Sequence, residues 1–90
     1  MKHYSNPTSS DRCQRVLTVL RSRRSRGATT LELGRIAMVT DVKDVIHELR
    51  KPRPSRGWNG IPIASVIEEQ PSGRRCARYW LPEYAPEEAA

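Results

Sequence analysis

Arg74 and Arg75 follow directly on Gln70-Pro71-Ser72-Gly73, a run whose Pro and Gly turn a chain back on itself. Two guanidinium groups at a hairpin tip are suited to the phosphate backbone or minor groove of a nucleic acid. Such contacts would position a protein without reading sequence. Arg53 and Arg56 lie in the Pro-, Gly- and Arg-rich stretch 52–60 and can meet the same strand. Upstream, Thr40, Lys43, His47, Arg50 and Lys51 fall between the apolar positions of a helical segment, where Asp41, Asp44 and Glu48 share the exposed face. Lys43 can donate to guanine, and Asp41 or Asp44 can accept from the amino group of cytosine. Each feature has a plainer account. A charged tip protects a sheet edge from pairing, and acids near a helix start favour its dipole.

Other chemistries find little support. His3 and His47 do not make a metal or catalytic set, and Cys13 and Cys76 lack partners at metal-ligand spacing. Glu68 and Glu69 are adjacent, so on a strand they point to opposite faces. No activated nucleophile or phosphate-cradling glycine loop is visible, so neither an enzyme nor a cofactor is expected. The cysteines fall in apolar-patterned segments and read as free buried thiols.

Charge supports the polyanion reading. Sixteen Lys and Arg against ten Asp and Glu leave +6, and three of the acids, Glu83, Glu87 and Glu88, lie in the last eight residues. Residues 1–82 therefore carry 16 bases and 7 acids, a net of +9. Thirteen of the sixteen bases are Arg, whose planar fork matches phosphate and guanine edges. A surface of this sign gathers polyanions by counterion release. With no leader-like or membrane-spanning apolar run, the expectation is a cytoplasmic, nucleoid-associated protein.

The elements that must position these residues follow from periodicity. Residues 1–9 are polar and aperiodic and read as a flexible arm, 10–82 as one domain, and 83–90 as a disordered acidic tail. Ser10 or Asp11 can cap a helix over about 11–24, with Cys13, Val16, Leu17 and Leu20 as its inner stripe and Arg12 and Arg15 outside; Gly27 stops it. Thr29-x-x-Glu32 is a capping box for a short helix over about 30–37, with Leu33, Ile36 and Ala37 inward. Ala37-Met38-Val39 connects it to a third helix over about 41–51, capped by Thr40 and stopped by Pro52, with Val42, Val45, Ile46 and Leu49 as its stripe. The period then shifts toward two. Ile61, Ile63, Val66 and Ile67 mark one strand, and 75–81 another, with Tyr79 as core and Trp58 and Trp80 as rings for packing or stacking. The expected class is α+β: three helices followed by a two-stranded β-hairpin wing.

Taken together, Thr29-Thr30-Leu31-Glu32, Leu49-Arg50-Lys51, Gly57-Trp58 with Ile61-Pro62-Ile63, and Gly73-Arg74-Arg75 leading to Tyr79-Trp80-Leu81 resemble the small phage and bacterial winged helix-turn-helix domains. The resemblance covers about residues 11–81. It implies double-stranded DNA as partner, in phage gene control or as a recombination accessory factor, with the third helix in the major groove and the wing on the backbone. Met38 stands where that family usually has Gly, residues 52–56 are an insertion, and the third helix carries acids. These departures keep open a second class, in which the fold binds a protein or ribonucleoprotein through Asp41, Asp44 and Trp58, as an inhibitor of a host defence complex of anti-CRISPR type would. A third option is RNA binding by the basic face. A homodimer would double the interface, although no dimerisation segment is visible.

Overall fold

The computed structural model describes residues 10–87 and residue 89. The arm at 1–9, with Lys2 and His3, lies outside the described residues. The first stripe becomes α1 (Asp11–Arg23), which buries Cys13, Val16, Leu17, Val19 and Leu20. Ser10 occupies the N-cap without a side-chain bond. The helix stops before Gly27: Arg24 swings to φ +52, a 3₁₀ turn spans Arg24–Arg26, and Gly27 follows at φ +65.

The next two residues correct the expected two-stranded wing. Ala28–Thr29 form a strand, β1, before the capping box opens α2 (Thr30–Ile36). With β2 (Ala64–Glu69) and β3 (Arg75–Trp80) the result is an α+β fold of three helices and a three-stranded antiparallel sheet, in the order β1-β3-β2. Ala28 pairs with Tyr79 and Thr29 with Arg78. Two residues are too few to show a period; β1 exists only because β3 offers it a free edge.

The capping box forms in full. The Glu32 amide donates to Thr29 Oγ1 at 3.1 Å, and the Thr29 amide donates to Glu32 Oε1 at 2.9 Å. A cap of this kind stabilises by about 1 kcal/mol. Leu33 and Ala37 are buried as expected, but Ile36 is 56% exposed. The helix ends at Ile36, and the chain turns toward the next helix instead of continuing the stripe. Met38, at the centre of that turn, takes φ +57 and is 78% exposed. A non-glycine residue is strained there. Arg15 holds the turn: its Nε donates to Ala37 O at 2.6 Å, so it is not the outward solvent residue expected of α1.

Helix α3 (Val42–Arg50) starts one residue late. Its N-cap is Asp41, not Thr40, and the Asp41 carboxylate turns away from the helix to pair with Arg12 of α1. Val42, Val45, Ile46 and Leu49 are buried. β2 begins at Ala64, later than the Ile61 start expected, and Ile67 is 64% exposed. The stripes of α1 and α3, Leu33, Ile63, Tyr79 and Leu81 form one apolar core, and Tyr84, expected in the tail, packs against it after a 3₁₀ turn at Pro82–Tyr84.

An ionic chain crosses the sheet. Arg23 meets Glu32 at 3.1 Å, Glu32 lies 3.8 Å from Arg78, and Arg78 meets Glu68 at 2.7 Å. The Thr29 amide, then these guanidinium groups, hold the Glu32 carboxyl below its ordinary range, against the opposing effect of partial burial. The bond to Glu68 raises Arg78 further above its already high value. A carboxyl whose pKa is lower in the folded state stabilises the fold above its unfolded pKa of about 4.3 and loses that contribution as pH falls through the folded value. Thermal denaturation of Glu32→Gln should therefore show a gap from the parent at pH 7 that shrinks below about pH 4. A gap independent of pH would assign the effect to shape alone.

Candidate nucleic-acid interface

The first turn of α2, the turn before α3, the N-terminal half of α3 and the β2–β3 tip together line one open cleft of about 1490 Å³. The cleft is larger than the roughly 300–1,000 Å³ of ordinary small-molecule sites, and it lies open to solvent. The hairpin tip closes through the Gln70 amide, which donates to Arg74 O at 2.6 Å, and the Gly73 amide, which donates to Gln70 O at 2.8 Å.

Of the residues singled out from sequence, Thr40, Asp41, Lys43, Asp44, Arg74 and Arg75 line this cleft. Lys43, Asp44, Arg74 and Arg75 are exposed, and none is ion-paired among the described residues. Their charge is therefore available to a ligand. Asp41 is partly withdrawn, because its carboxylate meets Arg12. Sequence reading missed Arg35, an exposed cation on α2 that also lines the cleft. It missed Leu31 and Ile67 too, each 64% exposed on the same surface. Arg35 could have been found as a polar position on the short capping-box helix, but only the docking of α2 against the sheet turns it to the cleft. His47 lies one turn beyond Lys43 on α3, exposed but outside the lining.

Arg50 and Arg53 are spent within the fold. Arg50 donates from Nε at 3.0 Å and from Nη2 at 2.7 Å to Ile63 O, reaches Ser65 Oγ at 3.1 Å, and lies 6.0 Å over the Tyr79 ring. It joins α3 to the sheet and does not face the cleft. Arg53 Nη2 donates to both carboxylate oxygens of Glu48, at 2.7 and 2.9 Å, which pairs the two charges. Lys51 and Arg56 are exposed and do not line the cleft.

Residues 52–60 are ordered by a small ladder. The Arg53 amide donates to Trp58 O at 2.6 Å, and the Trp58 amide donates back to Arg53 O at 3.0 Å. Trp58 is half-buried against the core, which removes it as an exposed docking ring. Trp80 is buried, with its indole N–H donating to Ser25 O at 2.9 Å. Cys13 is buried, which pushes its thiol up, and Cys76 is half-buried in the cleft wall; both are free.

No protein-family model, characterised protein or solved structure matches this chain. Among the described residues, no helix is long and apolar enough to cross a membrane, and no group of three or more His, Cys, Asp or Glu is placed to hold a metal ion.

Proposed function

We propose that the chain is a winged helix-turn-helix module that binds double-stranded DNA, of the kind used in phage gene control or recombination. The observation that carries this reading is the cleft itself. It is wide, open and lined by Lys43, Arg35, Arg74 and Arg75, none of them ion-paired among the described residues. The order helix, strand, helix, helix, hairpin is compatible with that fold. In this arrangement the start of α3 enters the major groove, Lys43 and Thr40 reach base edges, and the hairpin tip holds the phosphate backbone. Leu31 and Ile67 supply the apolar surface that a thymine methyl group can touch.

The test is binding to random duplex DNA across a salt series. Affinity should fall steeply with salt, and Arg74→Ala/Arg75→Ala should lower the log–log slope by about two, one for each phosphate contact. No binding even at low salt would overturn the reading. The protein-partner alternative rests on the same cleft, through exposed Asp44, Leu31 and Ile67. It predicts binding that tolerates Arg74→Ala and is lost with Leu31→Ser or Asp44→Ala.

A further inference from the structure

We infer that Arg21, Arg24 and Arg26 form a second duplex-binding surface, separate from the cleft, so that one molecule can bridge two DNA segments. The inference rests on the DNA reading above and extends it. All three side chains are exposed, and none is ion-paired or hydrogen-bonded among the described residues. The fourth cation of the run, Arg23, is taken up by Glu32, and Arg78 occupies Glu68. Glu32 and Glu68 are thus already engaged, and the three arginines, within six residues of chain, have no counter-charge among the described residues. Helix-dipole complementation accounts for Arg21 in the last turn of α1 and for Arg24 at its C-cap, but not for Arg26, two residues past that cap.

The cluster is held rigidly. Trp80 donates to Ser25 O at 2.9 Å, and Arg78 Nη1 donates to Arg26 O at 3.0 Å, so sheet side chains grip the backbone that carries the arginines. A gripped backbone presents its charges in a fixed pattern, unlike a floppy basic tail.

Position separates this surface from the first. None of the three arginines lines the cleft. The grip on Ser25 is made by Trp80 at one end of β3, whereas Arg75 begins that strand at the hairpin tip. Five residues of strand separate the two, about 17 Å at the usual rise. The occupant follows from the surface chemistry. The exposed large apolar residues are Leu31, Ile36, Met38 and Ile67, none of them within the 21–26 segment. The segment thus has neither the apolar centre of a protein interface nor the apolar face of a membrane-lying helix. Guanidinium forks without apolar neighbours suit a regular array of phosphates.

The experiment captures a labelled duplex on a second, immobilised duplex through the added protein, and measures binding to a single free duplex in parallel. The parent chain is compared with Arg21→Ala/Arg24→Ala/Arg26→Ala and with Arg74→Ala/Arg75→Ala, after thermal melts establish that each is folded. The triple variant should bind a single duplex within about threefold of the parent, yet lose capture by about tenfold or more, as expected when one of two linked sites is removed. The hairpin variant should lose capture as well, while its single-duplex binding falls further than the triple variant's but persists at low salt through the second surface. Capture by the triple variant equal to the parent's would overturn the inference. So would a loss of single-duplex binding as large as the hairpin variant's, which would make the arginines part of one continuous footprint. A parent that binds single duplexes but captures none would overturn the bridge alone and leave the DNA reading standing; a parent that binds no duplex would overturn both.

Discussion

Gly27→Ala should melt at least roughly 10 °C below the parent, a loss matched among the glycines only at Gly60, whose ideal Cβ would lie 2.5 Å from Arg50 O. Two separate effects add at that position. The backbone stands at φ +65, where an L side chain is strained, and an ideal Cβ would lie 2.6 Å from Tyr79 O and 2.6 Å from Trp80 Nε1. The backbone oxygen belongs to the strand that pairs with β1, so it cannot move away without breaking Ala28↔Tyr79. Strain and overpacking together come to roughly 2–5 kcal/mol, a large share of the stability of a small domain. Gly57 supplies the control. It also has positive φ, +73, but nothing lies within 4 Å of its ideal Cβ. Gly57→Ala should cost only about 1 kcal/mol, from the left-handed backbone alone. Equal losses at the two positions, measured by thermal denaturation, would show that conformation and not close approach governs Gly27.

The second large effect is expected at Arg50, and it separates structural from functional cations. Composition alone places Arg50 beside Lys43 as a DNA contact. The structure instead has its guanidinium on Ile63 O and Ser65 Oγ, above Tyr79. Arg50→Ala removes the link between α3 and the lead-in to β2 and leaves Ile63 O without its donors. Charged hydrogen bonds of this kind stabilise by roughly 1.5–3 kcal/mol, so a fall in melting temperature on the order of 10 °C is expected. Arg50→Lys should restore little, because an ammonium cannot reproduce the fork. Below its melting temperature, Arg50→Ala should bind duplex DNA with the parent's salt slope. Lys43→Ala should do the opposite, leaving melting unchanged and lowering the slope by about one. A slope change at Arg50 without loss of stability would return it to the interface.

These contrasts show how far local pattern reaches. The stripes of α1 and α3 were legible because a helix buries one residue in every three or four, and Cys13, Val16, Leu17, Leu20, Val42, Val45, Ile46 and Leu49 keep that spacing and are all buried. The Thr29–Glu32 box was legible because its two bonds close within four residues. The hairpin tip was legible from Gln70-Pro71-Ser72-Gly73, and Arg74 and Arg75 ride on it. Ile36 followed the same inward reading and is exposed, because α2 ends at that residue. Thr40 and Asp41 are both capping residue types, and Asp41 takes the cap position with its carboxylate on Arg12 of α1, a partner that no local pattern includes.

Thus the sequence by itself determined the three helices, the hairpin and the excess of cations, because each depends on neighbours within about one or two helical turns or a single tight turn. Only the tertiary structure decided that Ala28–Thr29 would be a strand, since a two-residue strand is defined by its partner. It also decided what most of the arginines do. Arg15, Arg23, Arg50, Arg53 and Arg78 meet carbonyls or carboxylates from elsewhere in the chain, while Arg35, Arg74 and Arg75 face the cleft and Arg21, Arg24 and Arg26 face solvent. A charged side chain at the surface follows no period, and its role is set by which opposite charge or carbonyl the fold brings within reach.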